Sequence, residues 1–409
     1  MWYLIAIRLF IGALLMFFAV EAQAKMESQG LISVDDYFSK GTDTAYNRHM
    51  LTARLRLDLA KLNQEGTLSF HFDGRERVNF GSLKGSGKNE RIDALNIEYE
   101  KPKLYLALGR LWPKEVPIET LDGVNLVLKK ANSGVGFFGG LKPDPYSEVF
   151  TTDYTTLGTY VYYIKDNLNA NLAFAHNSYK GATDRQYVYG QVSYTLSKLM
   201  LYSTLTMDYN KLANKVNLTN GVIELTYTPD FTRSISIGYN QFRAIQLQKS
   251  QAFTVDDSRT RAYYLSGTYR IREKYSVYGR AERQVRDVTD ADREYRNSNS
   301  YRIGLNTDDI FKTNINMSLS MSMTDGYGSK HNSYNIELSR LNWDVLQVVL
   351  NAAYMQNLYG SVNSDNVIVY GASGYWYVNK TWNASLSYER EEGREYSTNR
   401  LMTRVTSKF

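Results

Sequence analysis

The chain contains 409 residues with a formal net charge of +6, and it has no cysteine, so disulfides, thiolate metal sites and a lipidated N-terminal cysteine are excluded. Charged residues make up 22% of the chain, too many for a bundle of apolar transmembrane helices, and no run of Lys and Arg forms a nucleic-acid patch. The 34 tyrosines, 28 glycines and only 6 prolines favour an all-β protein.

The first 24 residues are typical of a cleavable secretory signal. An apolar core at residues 9–20 follows Arg8 and precedes the small-x-small sequence of residues 22–24. An uncleaved anchor helix is the alternative, but it would place Arg8 within the membrane at a cost of about 2.5–3.5 kcal/mol. We therefore expect a signal peptide at 1–24 and one barrel domain at 25–409.

Apolar and polar residues alternate through the remaining sequence with a period of two. In residues 51–59 (LTARLRLDL), leucine or alanine occupies every odd position and Thr, Arg or Asp every even one. The same alternation recurs in residues 199–207, 315–323 and 382–389. A helix would need apolar residues at every third or fourth position, so these segments are predicted to be strands.

Brief turns and longer polar connections alternate along the chain. Ten brief turns are predicted near Gly66, Pro102, Ser133, Asn167, Ser197, Pro229, Glu273, Phe311, Asn342 and Asn379. Eleven longer stretches are predicted around Thr42, Ser86, Lys114, Pro145, Gly181, Leu212, Phe253, Ala291, Gly328, Ser361 and Arg394. These connections imply about 22 strands, within a range of about 18–24. Such sorting of loops predicts a transmembrane antiparallel β-barrel rather than a soluble sandwich.

Charged residues indicate which face of each strand meets the lumen. Turning Arg54 or Arg56 towards lipid would cost about 2–4 kcal/mol each at the midplane, so both should face inwards. The same parity gives eight pore-lining candidates: Arg54, Arg56, Arg75, Arg77, Arg270, Arg280, Glu282 and Arg302. Arg270, Arg280 and Arg302 would form a basic ladder that favours anionic solutes. Alternatively, each arginine pairs with a neighbouring carboxylate and only hydrates the wall.

Two loops are candidates for narrowing the lumen. Residues 111–121 and residues 142–155 each contain two prolines, which stiffen a loop and suit a fold held inside a pore. Ordinary extracellular loops are the alternative. Because the strand pattern begins almost directly after Ala24, we expect no N-terminal plug, and narrowing would come from loops or from a separate protein.

The last strand shows Leu401, Thr403, Val405, Ser407 and Phe409 on one face and stops on phenylalanine. With the signal peptide, this resembles the C-terminal signature of Gram-negative outer-membrane β-barrels, which the barrel-assembly machinery reads in that family. Gly109-Arg110 followed by residues 121–124 (LDGV) is similar to a segment common in porin-like barrels. The resemblance implies a location in the bacterial outer membrane, periplasmic short turns, and a first strand Gly30–Phe38 that pairs with the last.

Catalytic patterns are weak in this sequence. The tripeptide His-Asn-Ser occurs at 176–178 and 331–333, but adjacent strand residues point to opposite faces, so neither tripeptide assembles a catalytic set by itself. The acidic pairs Asp256-Asp257 and Asp290/Asp292 do not match a calcium loop. We therefore expect no enzymatic activity, no cofactor and no resident metal.

These patterns predict an outer-membrane porin-like channel for passive diffusion of small polar solutes, with a mild anion preference as the finer hypothesis. Two alternatives stay open: a barrel sheath around a periplasmic partner such as a multihaem cytochrome, and an outer-membrane hydrolase using His176 or His331. The expected partners are outer-membrane lipid and small polar solutes. A homo-oligomer or a periplasmic protein partner is left open, and no nucleic acid is expected.

Overall fold

The computed structural model describes residues 26–409 except 43–46, 81–89, 117–118, 145–149, 212–213, 246, 249–257, 288–296, 327, 343 and 360–362. The predicted signal peptide lies outside the described residues. No helix in the described part is long and apolar enough to cross a membrane.

The described residues form 22 strands and one short 3-10 helix, Ile310–Lys312. The strands are β1 (Glu27–Gly41), β2 (Arg48–Ala60), β3 (Leu68–Asn79), β4 (Glu90–Lys101), β5 (Leu104–Leu111), β6 (Leu121–Lys130), β7 (Ser133–Leu141), β8 (Tyr154–Lys165), β9 (Leu168–Tyr179), β10 (Ala182–Leu196), β11 (Leu199–Asn210), β12 (Lys215–Asp230), β13 (Arg233–Phe242), β14 (Thr260–Arg272), β15 (Tyr275–Arg286), β16 (Asn297–Thr307), β17 (Ile315–Gly326), β18 (Ser329–Asn342), β19 (Leu346–Tyr359), β20 (Asn363–Tyr377), β21 (Trp382–Glu392) and β22 (Ser397–Lys408).

The sheet closes on itself. Each strand pairs antiparallel with its neighbours in the chain, and β1 also pairs antiparallel with β22. Closure removes the sheet edge, and in hydrocarbon every unpaired backbone N–H or C=O would cost several kcal/mol. The predicted transmembrane antiparallel β-barrel of about 22 strands is confirmed.

Exposed apolar side chains identify the outer face of the wall. Leu172, Ile235 and Ile303 are 53%, 54% and 63% exposed. Cross-strand partners share a face, so the outer face passes from Ile303 to Met321 on the next strand. Arg54 and Arg56 have the opposite parity to Leu55 and therefore face the lumen. An apolar exterior around a polar interior is the arrangement of an outer-membrane β-barrel, and it places the chain in the bacterial outer membrane.

The brief turns lie where the sequence predicts them, but several stretches predicted to be longer are short. All ten predicted brief turns join consecutive strands at the end of the barrel where β22 stops, and they range from two residues (102–103) to seven (61–67). The longest connection at the other end runs from 243 to 259. The longer stretches predicted around Gly181, Gly328 and Ser361 are wrong, because two residues join β9 to β10 and β17 to β18, and three join β19 to β20. Those predicted around Leu212 and Arg394 have four residues each, no more than some of the brief turns. β10 and β18 have 15 and 14 residues, more than the roughly 9–11 that cross a bilayer, so polar residues predicted to lie in loops belong to strand ends. Gly181 and Gly328 have a positive φ suited to tight turns.

The C-terminal phenylalanine contacts the first strand where the first and last strands pair. Gly30 N donates to Phe409 O at 2.7 Å, and Phe409 N donates to Gly30 O at 3.1 Å. The Phe409 ring lies over Gly30, where a Cβ would come within 2.2 Å of it. The phenylalanine at the end of β22 thus covers Gly30, a position of β1 that has no side chain.

A second close approach lies between β6 and β7. Gly123 pairs with Gly140, and a Cβ on Gly123 would lie 2.2 Å from Gly139 O and 2.7 Å from Gly140 Cα. Both clashing atoms belong to the backbone, so no rotamer change can relieve them. Gly123 is the third residue of β6, so this close approach lies near the end of the β5–β6 connection.

We expect Gly123→Ala to lower the free energy of unfolding by about 1–3 kcal/mol, because β6 and β7 must separate to admit the methyl group. Gly374→Ala is the matched control, since a Cβ at that glycine meets nothing within 4 Å. Urea titration of the barrel in lipid vesicles measures both variants. Equal stability of the two would contradict this packing.

Candidate functional site

The eight pore-lining candidates lie on the inward-facing side of their strands, in two groups. Arg54 and Arg56 lie on β2 with Arg75 and Arg77 on β3; Arg270 lies on β14, Arg280 and Glu282 on β15, and Arg302 on β16. Within each group, two arginines face each other directly: Arg54 pairs with Arg75 and Arg280 with Arg302.

In the first group, two arginines pair with carboxylates of the described residues and two do not. Arg54 binds Asp73 through Nε at 2.8 Å and through a second nitrogen at 2.5 Å. Arg56 binds Asp58 at 3.0 Å. For Arg75 and Arg77, no carboxylate of the described residues lies within 4.0 Å, and Arg77 Nε is buried without a hydrogen-bond partner. Arg75 and Arg77 therefore carry positive charge that no carboxylate within 4.0 Å pairs among the described residues.

The second group is built around Tyr264. Its ring lies over Gly238 and its hydroxyl donates to Glu224 at 2.6 Å. The Arg280 guanidinium stacks 3.9 Å from the centre of the same ring and binds Glu282 at 2.6 Å. An arginine on an aromatic face is stabilised by the ring quadrupole, so Arg280 is held flat on the wall.

The predicted three-step ladder is only partly assembled. Arg302 faces Arg280, and the described part of the chain offers it no carboxylate within 4.0 Å. Arg270 instead faces Ser276, which lies four residues from Arg280, about 13 Å along the strand. The three arginines lie on three successive strands, but the register between β14 and β15 places Arg270 away from Arg280 and Arg302.

The described residues of the connection between β5 and β6, residues 112–116 and 119–120, pack against the inner wall; we call them the inner strap. Pro113 is less than 2% exposed, and Val116 and Glu119 are fully buried. Val116 belongs to a buried cluster with Phe138, Tyr160 and Tyr187. The exposed side chains Leu108, Val124, Leu157 and Val188 have the opposite parity on the same strands, so this cluster lies on the lumen side.

Glu119 anchors the inner strap to three different parts of the wall. Its Oε1 accepts hydrogen bonds from Tyr187 at 2.8 Å and from Asn177 at 2.9 Å, and its Oε2 lies 3.0 Å from Lys142 Nζ. Tyr187 and Asn177 come from β10 and β9, and Lys142 follows β7 directly. A buried carboxylate with both oxygens engaged is the kind of charge that a protein interior tolerates.

The two proline-containing loops meet in this structure. Lys142, the first residue of the predicted second loop, binds Glu119 of the first. Residues 145–149 of the second loop lie outside the described residues. Of the two predicted loops, the first therefore packs on the inner wall as the inner strap, and the first residue of the second loop binds it.

Sequence reasoning missed Glu119, Asn177 and Tyr187 as anchors, because their signal is a contact between distant segments. The one hint in the sequence is a glutamate in a loop stiffened by two prolines. His176 lies on the outer face opposite Leu157, and His331 lies on the inner face opposite Thr324. The two histidines thus lie on opposite faces of the wall. The acidic pairs at 256–257 and 290/292 lie outside the described residues.

No family model and no curated protein matches the sequence. Among solved structures, the chain is similar to a mutant form of the ferric enterobactin receptor PfeA of Pseudomonas aeruginosa, with 9% identity over 95% of this chain and 81% of that chain and a TM-score of 0.60. It is also similar to OccD3 (OpdP) of Pseudomonas aeruginosa, with 12% identity over 93% and 91% of the two chains and a TM-score of 0.45. OccAB4 of Acinetobacter baumannii matches with 10% identity over 95% and 99% and a TM-score of 0.47. The likeness to PfeA is one of fold, in agreement with the closed barrel.

We expect Glu119→Ala to release the inner strap, because Lys142 loses its partner and two buried donors lose their acceptor. Breaking a buried pair typically costs about 3–5 kcal/mol. Deuterium uptake at residues 111–121 should rise strongly. Glu65→Ala removes an exposed pair with Lys101 at 3.2 Å and serves as the control, with an expected change below about 1 kcal/mol. Unchanged uptake in Glu119→Ala would argue against the anchor.

Proposed function

We propose that the chain is an outer-membrane channel through which small polar solutes diffuse passively, with a mild preference for anions. The observation that carries the proposal is the inner strap, a loop packed on the lumen wall by a fully buried Glu119. A loop serving only external contacts has no reason to bury a carboxylate inside the barrel. A loop that narrows a passage does.

The width of the barrel explains why narrowing is needed. Twenty-two strands about 4.8 Å apart and tilted by about 40° give a ring about 45 Å across between opposite backbones. A lumen of that size without an internal element would not sieve small solutes. The inner strap covers the wall from β5 to β10 and leaves the arginine groups on β2–β3 and β14–β16 facing the remaining space.

Wall electrostatics support the anion preference. Arg75, Arg77 and Arg302 keep their charge uncompensated by any carboxylate within 4.0 Å among the described residues, whereas Arg54, Arg56 and Arg280 are paired. Each of the two hypotheses drawn from the sequence therefore describes some of the arginines. The paired arginines only hydrate the wall, and the unpaired ones add positive potential. A net positive lining raises the local concentration of anions.

Planar-bilayer recording of the purified protein tests the proposal. We expect stable open steps from the wild type, and a larger single-channel conductance when residues 113–119 are replaced by a short glycine linker, because the narrowest section widens. Electrophoretic mobility before and after heating confirms that the variant is folded. Absence of open steps would contradict the channel, and haem that co-purifies with the barrel would favour the sheath instead.

Anion preference is tested by the reversal potential in asymmetric KCl. We expect Arg75→Gln combined with Arg302→Gln to move this potential towards zero. The effect should be clear at 0.1 M salt, where the Debye length is about 10 Å, and should shrink at 1 M, where it is about 3 Å. Arg340→Gln is the control, because Arg340 pairs with Ile315 and Val348 on the outer face. Equal shifts in both variants would contradict a role for the inner arginines.

A further inference from the structure

The outer face of the barrel carries a hollow that the channel function does not use. It has a volume of about 840 Å³ and spans β13 to β17. One row across these strands runs Ile235, Gly267, Gly279, Ile303 and Met321, each directly opposite the next. Two glycines between isoleucines make a depression with apolar walls, and Ala281 continues its floor one row further from the periplasmic turns.

A positive charge stands at the periplasmic end of this hollow. Arg233 also lines it, one row below Ile235 and therefore about 7 Å along the strand. Its guanidinium lies 5.7 Å from the ring centre of Tyr269, which faces it on β14. Short turns mark the periplasmic side of such barrels, and Arg233 follows the short β12–β13 turn. Arginine and tyrosine at this depth lie where lipid headgroups begin.

The guanidinium of Arg233 is only loosely held by protein. Its Nε is 3.7 Å from Asp230 Oδ2, and the side chain is 61% exposed. The other oxygen of Asp230 accepts a hydrogen bond from Thr232 N at 2.8 Å. Lys198, in the neighbouring turn, adds a second positive charge that acts on Asp230. Around Arg233, the β10–β11 and β12–β13 turns therefore place Lys198 and Arg233 against the one carboxylate of Asp230.

A second hollow on the same face supplies an internal comparison. It has a volume of about 720 Å³, is lined by residues including Leu319, Ile336 and Ala352, and has no charged residue in its lining. Lipid chains will cover both hollows in a membrane, but only the first combines an apolar depression with a basic end.

We propose that the first hollow is a binding site for one anionic glycerophospholipid of the periplasmic leaflet, with an acyl chain along Gly267 and Gly279 and the phosphate at Arg233. Arginine binds phosphate oxygens in a bidentate manner, and basic residues beside a membrane span select anionic headgroups. The site is independent of the proposed channel function, since Arg233 and the hollow face away from the lumen.

Native mass spectrometry of the detergent-purified barrel, with phosphatidylglycerol and phosphatidylethanolamine of identical chains, tests the site. We expect the wild type to retain phosphatidylglycerol preferentially, and Arg233→Gln to reduce that preference about threefold to tenfold. Gly279→Leu should reduce retention of both lipids by filling the hollow. Its Cβ meets only Arg302 O, at 3.7 Å, so the barrel should still fold.

Two controls separate this site from general lipid adhesion. Arg340→Gln removes a basic residue at the same end and on the same face but outside the hollow, and Ala352→Leu fills the uncharged hollow. Both should keep the wild-type preference. The proposal is overturned if Arg233→Gln binds phosphatidylglycerol as the wild type does. It is also overturned if Arg340→Gln loses as much of the preference for phosphatidylglycerol as Arg233→Gln does. A wild-type dimer that Gly279→Leu dissociates would instead make the hollow a protein interface.

Discussion

Backbone hydrogen bonding in hydrocarbon is the constraint on which the rest of this structure depends. A sheet in a bilayer has no water to pair its edge, so β1 must meet β22, and each strand must carry apolar residues on one face only. That requirement accounts for the alternation along the chain, for the arginines on the inner face and for the glycine covered by Phe409. The lumen is a consequence of closure.

Closure of 22 strands creates a wide space, and the inner strap packs on its wall from β5 to β10. Its stability comes from burial of Val116 and Pro113 and from Glu119, whose two oxygens hold β9, β10 and the end of β7 together. Because Glu119 is a carboxylate and not an apolar residue, its hydrogen-bond partners must lie at defined places on three segments. This requirement fixes the position of the inner strap on the wall. The strap therefore behaves as part of the wall.

Sequence reasoning succeeded where the physics is local and periodic. The period of two in β2 correctly predicted which face of the wall Arg54 lies on, and turn residues correctly predicted the positions of all ten brief connections. It failed where long-range register decides. Gly181 marks a two-residue turn because β10 extends beyond the bilayer, and Arg270 lies away from Arg280 because of the β14–β15 register. The contact between Glu119 and Tyr187 joins residues 68 apart, and no local pattern signals it.

The most direct test uses the absence of cysteine from this chain. Single cysteines at positions 54, 55 and 56 of β2, in a barrel reconstituted into vesicles, are exposed to a charged, membrane-impermeant maleimide. Our account predicts labelling at 54 and 56 and protection at 55, since only the even positions face an aqueous lumen. Equal labelling at all three positions, or labelling at 55 alone, would contradict a closed barrel with a polar interior.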